Sequence, residues 1–106
     1  MPVVTAPSPK MNNTSGLRAV YCPLEILTEF RARAKPNTDR LIETCGILAG
    51  IERSGALYIN TLIIPKQEGQ QDRCHMVDEM ELFQEQLNLD VMTLGWIHTH
   101  PQFVIL

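Results

Sequence analysis

A chain of 106 residues has room for one domain and one modest core, because small chains bury a smaller share of their surface than large ones. Its net charge of −3 is spread over mixed-sign segments, with 44% hydrophobic and 20% charged residues, which argues against a nucleic-acid-binding surface. No stretch reaches the roughly 18 uninterrupted apolar residues of a membrane-spanning helix, and the N-terminus lacks the basic-then-apolar order of a secretory signal, so the reading is a soluble, intracellular protein.

Residues 1–16 combine prolines with small polar side chains and show no apolar period, so they read as a disordered tail or linker ahead of a single unit at 17–106. Ala19, Val20, Tyr21 and Cys22 form a short expected strand. Pro23 then stands where a helix can begin. Leu24, Leu27 and Phe30, with Ile26 and Ala34 beside them, make an apolar stripe that predicts a helix over 23–35, ending near Pro36 and Asn37. The run at 44–51 is short, apolar and glycine-bearing, which favours a buried strand. Ser54 and Gly55 supply a turn into 56–64, rich in β-branched residues and closed by Pro65, so the two runs predict a hairpin. A polar loop follows at 66–73.

Met76, Met80, Phe83 and Leu87 recur at helical spacing and predict a second amphipathic helix over 77–88 with that stripe in the core. Glu79, Glu81 and Glu85 read as its solvated face. A last strand is expected over 92–100. The order strand, helix, two strands, helix, strand is an α/β layered arrangement whose last strand follows a crossover helix, so at least one parallel strand pair is expected. Cys22, Cys45 and Cys74 are odd in number and widely spaced, which suits reduced, buried structural thiols. Cys74 and His75 adjoin, but neighbours on a strand face opposite ways, so a ligand pair there would need a loop.

The chemistry-bearing feature is His98-Thr99-His100-Pro101. Imidazoles at i and i+2 share one face of an extended strand, with Thr99 turned away, and form a ready pair of metal ligands. Trp96 shares their parity and reads as core packing. A catalytic zinc commonly keeps three protein ligands and an open position, with a carboxylate nearby to move protons. Glu43, just ahead of the buried strand, suits that base, because α/β sheets place reactive groups at strand ends. Residue types alone leave two readings open: a metal site, or two surface or hydrogen-bonded histidines near a turn.

Three ordered segments carry a resemblance: Glu43-Thr44-Cys45-Gly46-Ile47-Leu48, Leu62-Ile63-Ile64-Pro65-Lys66-Gln67, and Thr93-Leu94-Gly95-Trp96-Ile97-His98-Thr99-His100-Pro101. In order and spacing they resemble the catalytic domain of the JAMM metalloproteases (MPN domain), most closely the AMSH branch of zinc deubiquitinases. Asp72, Cys74, Glu81, Leu82, Phe83 and Gln86 fit that branch too, and the likeness covers 17–101.

The resemblance implies an α/β, MPN-like three-layer domain with a mixed sheet flanked by helices. It also implies a zinc-dependent isopeptidase cutting lysine-63-linked polyubiquitin, with ubiquitin and endosomal sorting proteins as partners and the cytoplasm or endosome as setting. By position, Glu43 matches the general acid/base, and His98 and His100 match two zinc ligands, in a mechanism without a covalent acyl-enzyme. Members of the family continue past the His-x-His-Pro motif with an oxyanion-stabilising serine and an aspartate as third zinc ligand; residues 102–106 hold neither. The expectation is therefore the N-terminal part of such a domain, incomplete at its C-terminus, with weak zinc binding and little turnover alone. A non-catalytic MPN-like scaffold or ubiquitin-binding module is the alternative. A chain too short of strand partners to fold stably is a third reading.

Overall fold

The structure, a computed structural model, describes residues 2–4 and 17–101. The elements in chain order are β1 (Pro2–Val4), β2 (Val20–Pro23), α1 (Leu24–Asp39), β3 (Cys45–Arg53), β4 (Ala56–Ile63), β5 (Gln67–Gly69), β6 (Cys74–Met76), α2 (Glu79–Leu89) and β7 (Met92–His98). Five strands form one mixed sheet in the order β1-β2-β4-β3-β7, and β5 pairs with β6 in a separate ribbon. The α/β class with a mixed sheet and two helices is the one expected.

β3 is central because its sequence is. Cys45, Ile47 and Ala49 on one face and Gly46 and Gly50 on the other are all buried, and a strand covered on both faces reads as a continuous apolar run rather than an alternating one. β4 returns antiparallel beside it, from Arg53 opposite Ala56 to Ile47 opposite Ile63. The turn between them places Ser54 at φ 51° and Gly55 at φ 80°, and two consecutive positive φ values match the right-handed twist of a tight hairpin. β2 lies parallel to β4, with Tyr21 opposite Tyr58 and their rings stacked at 5.0 Å. The expected parallel pair is therefore this one. The strand that follows the second helix, β7, runs antiparallel to β3 instead, with Cys45 opposite His98 and Leu48 opposite Gly95.

α1 turns Phe30 and Ala34 into the core, and the Phe30 ring lies beside Gly46 of β3, where an added Cβ would meet it at 3.2 Å. Leu24, counted in the expected stripe, is exposed. The helix also runs beyond its expected end, through Pro36 to Asp39. Proline removes only its own N–H, and the last turn is secured further on. The Asn37 carbonyl accepts from the Arg40 and Ile42 amides at 3.0 and 2.9 Å, and the chain reverses at Leu41 in a left-handed conformation.

Within 1–16, read as a tail or linker, Pro2–Val4 pair antiparallel with β2, and the rest of that segment lies outside the described residues. Two further expectations are corrected. The loop expected at 66–73 contains β5, whose partner β6 begins at Cys74. The apolar stripe of the second helix is not core: Met80, Phe83 and Leu87 stand more than half exposed, and no residue of α2 is buried. Periodicity reports that a helix has an apolar face, not that another element covers it. Local contacts hold α2 in place. Asp78 caps its N-terminus by accepting from the Glu81 amide at 3.0 Å, Lys66 pairs with Glu81 at 3.1 Å, and the Gln86 amide bonds the Thr93 hydroxyl. Among the described residues, no helix is long and apolar enough to cross a membrane.

Candidate metal centre

The last strand and the residues just ahead of β3 bring the site together. Because Cys45 pairs with His98, Glu43 lies two residues before that pairing and His100 two residues after it, on neighbouring strand ends. Antiparallel register thus converts a separation of more than fifty residues in sequence into adjacency. Nδ1 of His98 is 4.0 Å from Glu43 Oε1, and Nδ1 of His100 is 3.5 Å from Glu43 Oε2. One ligand atom from each of the three residues falls within 4.8 Å of the others. The imidazoles meet edge to face, with centroids 4.4 Å apart.

Burial divides the three into two kinds. The Glu43 side chain is 5% exposed, while those of His98 and His100 are 48% and 50% exposed. A carboxylate taken out of water demands charged or hydrogen-bonding partners, and the two imidazoles are the groups that face it. Their own open sides face solvent, where a cation can arrive.

Backbone contacts fix the spacing. The Thr44 amide donates to Thr99 Oγ1 at 3.0 Å, and the Thr99 amide donates to the Thr44 carbonyl at 3.0 Å. Thr99, between the two histidines, thus turns to Thr44, next to the glutamate. Asn37 Nδ2 donates to Thr44 Oγ1 at 3.0 Å and ties the end of α1 to the same point. From the other side, the Glu43 amide donates to the Gln70 carbonyl at 2.8 Å. A Cβ on Gly69 would overlap the Glu43 carbonyl, so only glycine lets β5 approach so closely. None of Thr44, Gln67 and Gly69 was singled out in the sequence as a supporting residue. Gly69 contributes through its backbone, Thr44 through backbone and hydroxyl, and Gln67 through a carboxamide bonded to the Cys45 main chain, and residue type does not advertise which backbone groups such side chains meet.

A cavity of about 440 Å³ adjoins the cluster, lined among others by Glu43, Cys45, Cys74, Trp96 and His98. Trp96 was expected in the core; it is 58% exposed and shares the cavity wall with His98, as its strand parity allows. All three cysteines are free thiols, Cys22 and Cys45 buried and Cys74 partly so. Burial first, then the adjoining Cys45 thiol and the Glu43 carboxylate, push the Cys74 thiol up to about 12. The fold therefore favours the neutral thiol, a contribution present in full below pH 9 and lost as pH rises towards 12. In chelator, thermal unfolding of the wild type is expected to lose more stability between pH 8 and 11 than Cys74→Ser does. Parallel curves would contradict it.

The chain is similar to known proteins over most of its length. The family model described as JAB1/Mov34/MPN/PAD-1 ubiquitin protease matches residues 15–106. The chain belongs to that family. Among its relatives, the probable ubiquitin thioesterase DG1039 of Dictyostelium discoideum is 51% identical over 87 residues, 82% of this chain and 12% of that protein. The AMSH-like ubiquitin thioesterase 3 of Arabidopsis thaliana is 46% identical over 77% of this chain and 16% of its own length. The STAM-binding protein of Rattus norvegicus is 44% identical over 81% of this chain and 20% of its own. The resemblance read from the three motifs is thereby borne out, including its AMSH-like branch. As an MPN-family chain it spans only 12% to 20% of the length of these relatives.

Proposed function

We propose that this chain is the N-terminal part of an MPN catalytic domain, residues 17–106 preceded by a linker, that hydrolyses ubiquitin conjugates as a zinc-dependent isopeptidase. The observation that carries the reading is the convergence of buried Glu43 with the paired imidazoles of His98 and His100. The relatives' names, ubiquitin thioesterase and STAM-binding protein, support ubiquitin as substrate and endosomal sorting proteins as partners. Lysine-63-linked polyubiquitin as the preferred chain, and a cytoplasmic or endosomal setting, follow from the AMSH resemblance.

The donor set fits zinc, which favours imidazole nitrogen and carboxylate oxygen. His98 and His100 would hold it. When bound, zinc supplies Lewis acidity, polarising a carbonyl and making a water more acidic. Glu43 moves the proton: a carboxylate oxygen accepts it from the attacking water and delivers it to the departing lysine amine. Burial keeps bulk water from competing for that carboxylate, and the two facing imidazoles fix its direction. Cys74 is no rival nucleophile, because a thiol held at about 12 is protonated at neutral pH.

Only two imidazoles and one carboxylate converge among the described residues, so these residues alone are expected to bind zinc weakly and to turn over slowly or not at all. The test incubates the chain with zinc and lysine-63-linked diubiquitin, beside a longer polypeptide that contains it. In whichever form cleaves, Glu43→Gln is expected to lower the rate by about 10²- to 10⁴-fold and to retain zinc. Cleavage that survives chelator, or a Glu43→Gln variant as fast as wild type, would sink the reading.

A further inference from the structure

The ladder between β3 and β4 ends where Ile47 faces Ile63. Carried two residues further, the same register sets Pro65 opposite Cys45, and proline has no N–H to give. Cys45 is 5% exposed, so an unpaired N–H and C=O there would be costly. A side chain takes the missing strand's place. Gln67 Oε1 accepts from the Cys45 amide at 2.8 Å, and Gln67 Nε2 donates to the carbonyls of Cys45 at 2.8 Å and Pro65 at 2.9 Å. The Cys45 thiol also donates to Oε1 at 3.4 Å. One carboxamide reproduces the donor and acceptor of a peptide group and ties them to the proline that cannot extend the sheet.

We propose that Gln67 is a positioning residue of the metal centre: its carboxamide substitutes for the strand partner that Cys45 lacks, and through Cys45 fixes His98 against Glu43. The inference rests on the proposed zinc isopeptidase reading and deepens it. Cys45 is the residue through which both groups are referenced, since it pairs with His98 across the β3 and β7 ladder and follows Glu43 by two positions. The segment that supplies Gln67 also supplies the Gln70 carbonyl that accepts from the Glu43 amide. Without the carboxamide, Thr44 keeps its bonds to Thr99 but Cys45 loses those on the opposite side, and the start of β3 is free to shift relative to β7.

The experiment compares the whole chain with Gln67→Met, which keeps length and apolar packing, and Gln67→Glu, which keeps an acceptor but no donor. In zinc-free Gln67→Met the Cys45 amide is expected to exchange about 10-fold faster, with the Ile59 amide unchanged and the His98 imidazole resonances displaced. Zinc affinity, read by competition with a chromophoric chelator, is expected to fall about 10- to 100-fold, the usual cost of losing a supporting partner. In Gln67→Glu the Cys45 amide proton is expected to shift as the introduced carboxyl ionises, which decides the contact even if Gln67→Met does not fold. Unchanged Cys45 exchange, or a silent Cys45 amide in Gln67→Glu, overturns the proposal. Faster exchange with unmoved His98 resonances also overturns it, because Gln67 then caps a strand without positioning the site. A wild-type chain that holds no zinc takes down the metal reading instead, and the zinc-free His98 measurement still judges Gln67.

Discussion

Removing either imidazole, by His98→Ala or His100→Ala, is expected to lower the zinc affinity of the chain by more than the about 10- to 100-fold that loss of an outer partner costs. Each histidine is one of only two nitrogen donors in the cluster, so its loss leaves a single imidazole and a carboxylate, too few for a tetrahedral site. Glu43→Gln is expected to change affinity less, because its carboxylate is buried behind the imidazoles while theirs are the half-exposed faces. Competition titrations against a chromophoric chelator, run with all three variants and a thermal melt of each, separate the roles. Two histidine variants that titrate like wild type would remove His98 and His100 as ligands. A Glu43→Gln variant that loses zinc as completely as they do would make Glu43 a ligand rather than a base.

The site was legible because its logic is local on each side. Two histidines at i and i+2 must share a strand face whatever the fold, and Glu43 ahead of an apolar run marks the end of a buried strand. What no residue type stated was the pairing that joins them: register places Cys45 opposite His98, and that ladder shifts between Leu48 and Ala49 at a point with no local signature. The hairpin was legible from Ser54 and Gly55, which meet the backbone demand of a tight turn. α2 misled in its burial, not its existence. Its period was right, yet Met80, Phe83 and Leu87 face outward, because covering an apolar face is a property of other segments. The ribbon of β5 and β6 was hidden for the opposite reason. Its residues are polar, and its function in the fold is to present backbone and amide groups to Glu43 and Cys45, which hydrophobic patterning does not record.

The stability of the sheet is expected to hinge on Gly50, and Gly50→Ala to be the most damaging single methyl added to the chain. At Gly50 the ladder with β4 slips, so that Ala49 faces Thr61 while Gly50 faces Ile59. The chain of β4 crowds into the space a side chain would need. A Cβ there would overlap the Tyr58 carbonyl and reach within 3.0 Å of the Ile59 Cα. Both obstacles are backbone, so no rotamer change relieves them, and the two central strands of the sheet must part. Overpacking of a core costs about 1–3 kcal/mol when side chains can yield, and here they cannot, which puts the expected cost at the upper end or beyond. For a domain of this size about 3 kcal/mol lowers the melting temperature by roughly 12–24 °C. Gly95→Ala is the matched control, since a Cβ there meets only the Leu48 Cδ1 at 3.9 Å. Thermal melts followed by circular dichroism, in chelator so that metal does not contribute, compare the two. A Gly50→Ala variant that melts within a few degrees of Gly95→Ala would mean that β3 and β4 do not approach at this bulge, and the β3–β4 register from Gly50 onward would have to be redrawn with it.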